Sequence, residues 1–280
     1  MDDEDDDLPP SEAPQRRPMT FLSAAMWTLL VVLLFGVAVG FSESARAGAM
    51  SDPVTLAGGR LLATSLAVFG IARLHEPELS IGELVAFRRP SILMTLLAVV
   101  VGLASAPAAS WVESAITQRL PPSSAELESM ARLTATDTLG KRVALVVAFA
   151  LVFPICEELF VRGAVFSCLK RGRAAQVVVA ATALFDVLGA LDPRALFPML
   201  AFGVLMGWVR AQSGSVVPSL LARVAFFSYM VLPLALRGQD LTPPGSVAIA
   251  SLAGATLAFL ALLKLGTRDA RSLEARTQDG

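Results

Sequence analysis

The chain has 280 residues, 55% hydrophobic and 17% charged, with a mean hydropathy of +0.64 and a net charge of -1. A soluble chain of this length needs more polar surface, so the composition points to a membrane protein and excludes an ordinary soluble enzyme. The charge balance leaves no basic footprint for nucleic acid, and the two cysteines, Cys156 and Cys168, lack the spacing of a zinc or redox motif.

Residues 1–18 open with Met1 and six acidic residues, Asp2 to Asp7, and continue with prolines. Such a segment cannot bury a core and is expected to be a disordered, solvated acidic tail. It lacks the basic start of a secretory signal. A docking tail for a basic partner is the alternative. Eight apolar runs follow, at about 19–41, 53–74, 91–112, 142–161, 174–191, 195–210, 215–236 and 245–265. At 1.5 Å per residue each approaches the ~30 Å of a hydrocarbon layer. The pattern predicts an all-α polytopic membrane bundle of about eight transmembrane helices. With the N-terminus inside, twice as many lysines and arginines fall on inside as on outside segments. That bias favours cytoplasmic N- and C-termini. The long outside loop 113–141 carries a Ser/Ala/Glu-rich stretch, 123–133, suited to an amphipathic surface helix. Four parts are expected: the tail 1–18, N-terminal spans and outside loop 19–141, a core 142–236, and a last span with a basic tail 237–280.

Glu157 and Glu158 stand at the end of the fourth run, and Arg162 follows four residues after Glu158. Charges at the edge of hydrocarbon cost roughly 2.5 kcal/mol or more each unless they pair or line a cavity. Glu158 and Arg162, at i and i+4, are placed to pair on a helix. Asp186 falls in the fifth run, Arg223 in the seventh and Arg60 in the second; the sequence does not decide whether Arg60 lines a pocket or anchors a headgroup. Cys156 is expected to be a packed thiol, and Met199, Met206 and Trp208 packing residues. Cys168 to Arg173 forms a basic turn that sets topology and meets anionic lipid. The single histidine, His75, is expected in a solvated loop after the second run.

Glu157-Glu158-x-x-x-Arg162 with Gly163 resembles the first motif of the CAAX protease and bacteriocin-processing (CPBP, or Abi) family of intramembrane proteases. Phe185 to Gly189 resembles the second motif, Phe-x-x-x-His. Phe202 to Ser215 resembles the linking helix and its arginine-to-Gly-Ser turn, and Pro218 to Phe227 resembles the third motif. The resemblance covers about residues 145–236. It implies a helical membrane core in which a glutamate and histidines surround a water that attacks a peptide carbonyl. The implied substrate is a prenylated C-terminal tail or another membrane-presented peptide, and the implied location is a bacterial cytoplasmic membrane.

The motif histidines are replaced. Gly189 and Arg223 occupy their positions, and Phe227 stands where the third motif has Asn or Asp. Glycine cannot transfer a proton, and arginine offers donors but no acceptor. Losing such partners forfeits typically 10²–10⁴-fold each. The expectation is a catalytically degenerate member, without metal or cofactor, that acts as a scaffold or regulator for a membrane peptide, prenylated protein or other partner in the bilayer. Two rival readings are an endopeptidase that activates water with Glu157 and Asp186 alone, and a small-solute or proton carrier. For Arg223 itself, a bridge to Asp186 and Glu157 or Glu158 competes with snorkelling into a water-filled vestibule.

Overall fold

A computed structural model describes residues 18–135, 137–190, 193–238 and 242–278. The acidic run at the N-terminus and the side chains of the basic C-terminal tail lie outside the described residues. Ten helices are present: α1 Phe21–Ala45, α2 Pro53–His75, α3 Ile81–Leu84, α4 Ile92–Thr117, α5 Ser124–Leu133, α6 Leu139–Lys170, α7 Ala175–Ala190, α8 Leu196–Ser213, α9 Val216–Arg237 and α10 Gly245–Gln278. No strand occurs among the described residues.

Local chemistry sets the helix ends. Thr20 and Ser23 form a capping box that opens α1. Asp52 caps α2, with Pro53 at its first position. Gly214 and Gly238 take left-handed conformations (φ 64° and 68°) that end α8 and α9, a geometry that costs glycine little. The stretch expected as a surface helix is α5, which has no buried residue and opens with a Ser123–Glu126 capping box.

Each of the eight apolar runs forms a helix. Among the described residues six helices are long and apolar enough to cross a membrane: α1, α2, α4, α6, α9 and the Gly245–Gly266 part of α10. Of the other two, α7 has 16 residues and α8 has 18, about 24 and 27 Å. They pack on one another within the bundle. Large apolar side chains on the outer faces, Leu22, Leu33, Phe41, Ile249 and Leu257 among them, are exposed. That is the surface a helix presents when its solvent is lipid.

Two large apolar clusters, and a smaller one of Leu145, Ala150, Val231 and Ala235, build the interior among the described residues. Ile71, Leu84, Phe160, Phe166 and Leu169 belong to one, drawn from α1, α2, α3, α6 and α7. Val101, Phe202, Met206, Phe226 and Leu262 belong to the other, drawn from α4, α8, α9 and α10. At the contact of α4 with α9, a Cβ on Gly102 would collide with the Ala222 backbone, so a small residue sets the helix separation. Gly163 plays a similar part where Val85 approaches α6 at 2.9 Å from a built Cβ.

Two sequence expectations are corrected. The fourth run does not end at the glutamates: α6 spans 32 residues, from Leu139 to Lys170. The charges inside it are paired, so hydrocarbon does not force the helix to stop. His75 is not a loop residue. It closes α2, half-buried, and its Nε2 accepts the Trp27 Nε1–H at 3.2 Å.

Candidate functional site

The site starts from α6. Two stretches of this helix, Val147–Val152 and Glu158–Val165, are wound as wide π-helical turns. Pro154 lies between them; it has no N–H to donate, and its ring displaces the carbonyl one turn back. Wide turns of this kind recur at functional sites. Here they bring Glu157 and Glu158, adjacent in sequence, against the same partner on α9.

That partner is Arg223, which is 2% exposed. Its three guanidinium nitrogens meet three carboxylates. NH1 donates to Glu157 Oε2. NH2 donates to Asp186 Oδ2 on α7 at 2.7 Å. Nε lies 2.8 Å from Glu158 Oε1, in charge contact but off the hydrogen-bond line. The Phe202 ring lies against the guanidinium, 5.6 Å from its carbon.

Two further arginines close the group. Arg60 of α2 donates from NH2 to Glu157 Oε1 at 3.2 Å, so both oxygens of Glu157 face guanidinium donors. Arg60 is packed against Phe35 and Phe153. Arg162, fully buried, donates to Asp186 Oδ2 and, at 2.6 Å, to the Gly203 carbonyl of α8. Its expected partner, Glu158, is only in outer contact at 3.8 Å. Three arginines thus face three carboxylates, drawn from α2, α6, α7 and α9, and the formal charges cancel. Burying six charges costs several kcal/mol each unless every one is compensated. Glu158 is the weakest point: it is 0% exposed and neither oxygen accepts a hydrogen bond within the described residues.

The other motif positions frame the cluster. Gly189 lines a small cleft with Thr28, Val31, Val32, Arg60, Glu157, Phe160 and Asp186. Its volume of about 20 Å³ holds one water molecule. A Cβ on Gly189 would meet nothing within 4 Å, so the backbone there is not crowded by a neighbour. Phe227 is half-buried and stacks edge-on with Phe226 at 5.3 Å. Cys156 is buried in packing. His75, 15 residues beyond Arg60 along α2, is about 22 Å away in helical rise, so no imidazole reaches the cluster.

A metal does not fit these residues. Each carboxylate that would ligate it is in contact with a guanidinium, and three arginines at that point repel a cation. Among the described residues no three His, Cys, Asp or Glu side chains converge as ligands.

Arg60 is the member of the cluster whose partner the sequence left open. Its signal is position: an arginine inside an apolar helix needs an acid.

No curated protein and no solved structure matches the chain. Residues 139–229 match the family model described as type II CAAX prenyl endopeptidase Rce1-like. The matched stretch holds every member of the charged cluster except Arg60, so the part of this bundle of apolar helices that is similar to Rce1-like CAAX-protease domains is the part built around the cluster.

Proposed function

We propose that this membrane protein holds a membrane-presented peptide or partner protein without cutting it, its catalytic centre having become a structural ion cluster. The observation that carries the reading is Arg223. It occupies a position where the related proteases have a histidine, and it engages Glu157, Glu158 and Asp186 together. A water-activating carboxylate needs a free acceptor direction toward the water and a partner that relays the proton to the leaving nitrogen. Glu157 has both oxygens turned to arginines, and neither Gly189 nor Arg223 accepts a proton. The open space at Gly189 and the cleft between α1 and α7 support a retained binding role. The cleft is too small for a peptide as it stands, so occupancy requires α1 to move away from α7.

The test is a cleavage assay on the purified protein in phosphatidylcholine vesicles. A farnesylated peptide ending in a CAAX sequence is supplied, and release of the terminal tripeptide is followed by mass spectrometry. The expected result is no release above the protein-free control, together with photo-crosslinking of the peptide at Thr28, Val32 or Phe185. Release that disappears in Glu157→Gln refutes the inactive reading and favours a carboxylate-only endopeptidase. Absence of both release and crosslinking refutes the binding role.

A further inference from the structure

Apart from the central cluster, positive charge gathers around the end of α8. Arg210, near the end of α8, is 4% exposed. Its Nε donates to the Arg162 carbonyl at 3.0 Å and its NH2 to Ser167 Oγ at 3.2 Å; both acceptors are neutral. The Phe166 ring lies 5.2 Å from its guanidinium carbon. Arg88 and Lys170 are both exposed, and both lie within electrostatic reach of Arg210. The backbone explains the convergence. Lys170 ends α6, one turn beyond Ser167. The Arg88 carbonyl accepts from Ser215 Oγ at 2.7 Å, and Ala86, with a positive φ of 53°, accepts from Val216 N–H at 3.2 Å. These contacts fasten the α3–α4 connection onto the turn between α8 and α9, next to Arg210.

Two acids lie nearby, and one of them, Glu83, is within electrostatic reach of Arg88. Glu158 contacts Arg223, and Glu83 accepts from the Ser80 backbone N–H at 3.0 Å and its hydroxyl at 2.6 Å. Neighbouring cations are committed too: Arg171 pairs with Glu76 at 2.8 Å, and Arg173 donates to the Leu169 carbonyl at 3.1 Å. A buried guanidinium whose bonds go only to neutral acceptors, with an exposed lysine and an exposed arginine nearby, leaves net positive charge here even with Glu83 facing Arg88, and such a place suits an anion.

We infer that Arg210, Lys170 and Arg88 bind a phosphate group at this face of the bundle. The three cations come from three elements: Arg210 is bonded to Ser167, one turn before Lys170, and the Arg88 backbone is fastened to the turn that follows α8. Lys170 ends the spanning helix α6, at the level where headgroup phosphates lie. This inference is independent of whether the protein cleaves peptides.

The test uses the full chain purified in neutral detergent, followed by thermal unfolding. One arm titrates phosphatidylglycerol against phosphatidylcholine; a second titrates inorganic phosphate without lipid. Arg88→Gln and Lys170→Gln alter exposed side chains and avoid Arg210, whose bonds to Arg162 and Ser167 hold α8 to α6. The expected result is stabilisation by a phosphate carrier, with affinity falling about fivefold for each of these substitutions. Stabilisation by phosphatidylglycerol alone assigns a lipid source, and by inorganic phosphate as well assigns a free one. Arg89→Gln is the control, an adjacent exposed arginine outside the proposed site. If it weakens binding as much as the others, or if neither carrier stabilises the protein, the inference is overturned.

Discussion

Arg223→Ala is the sharpest perturbation of the charged cluster. It removes one cation facing three carboxylates, but the loss is unequal. Glu157 keeps Arg60 at 3.2 Å, and Asp186 keeps its contact with Arg162. Glu158 keeps only the outer contact with Arg162 at 3.8 Å, while remaining 0% exposed. The cost is therefore that of one buried carboxylate stripped of its partner, about 3–5 kcal/mol. For a chain of this size the shift in unfolding temperature is roughly 6–20 °C. Glu158→Gln in the same chain returns the cluster to two cations and two anions, and should recover about half of the loss. The assay is thermal unfolding in detergent and in nanodiscs, with all four chains of the double-mutant cycle. An Arg223→Ala protein that melts with the parent refutes the structural role. So does additivity between positions 223 and 158.

Two other positions give predictions of opposite sign. Gly189→Ala should fold with a stability change within about 1 kcal/mol, because the added Cβ meets nothing within 4 Å; thermal unfolding checks it, and a large loss would mean that the cleft closes in the bilayer. Gly102→Ala should cost about 1–3 kcal/mol, since its Cβ collides with the Ala222 backbone one residue before Arg223. Its lowered melting temperature should be accompanied by weaker coupling between Arg223 and Glu158.

The helices were legible because an apolar run of near-spanning length has few other solutions. The meeting of Arg223 with the carboxylates was legible as chemistry, since charges on apolar helices need partners. The geometry of the meeting was not. A helix of 3.6 residues per turn pairs Glu158 with Arg162, whereas Arg162 turns to Asp186 and the Gly203 carbonyl, long-range partners that no local spacing reveals. The π-helical turns that set both glutamates against Arg223 leave no periodic mark in a run that is apolar on all sides. His75 was misplaced because its partner, Trp27, is 48 residues away and extends α2 to the histidine. The continuation of α6 to Lys170 escaped for the same reason: charges that end a run on hydropathy are interior once Asp186 and Arg223 pair with them.

Charge balance also constrains how histidine chemistry returns to this scaffold. An imidazole in place of Arg223 removes a positive charge when neutral, leaving two arginines against Glu157, Glu158 and Asp186. Asp186 is the carboxylate to neutralise. With Asn there, Arg60 still faces Glu157, and Arg162 is left to Glu158, 3.8 Å away and on the same helix. The combination Gly189→His, Arg223→His, Phe227→Asn should therefore accumulate poorly and melt early, and adding Asp186→Asn should recover about 2 kcal/mol or more, the penalty of one uncompensated buried charge. Melting is compared at pH 8.5, above the ordinary imidazole pKa of about 6.5. If both variants melt together, net charge does not govern this site, and the balanced cluster is a coincidence of packing. If only the Asp186→Asn variant is stable, the same variant is the one in which peptide cleavage is worth measuring, because there Glu157 loses the Arg223 donor while the bundle stays intact.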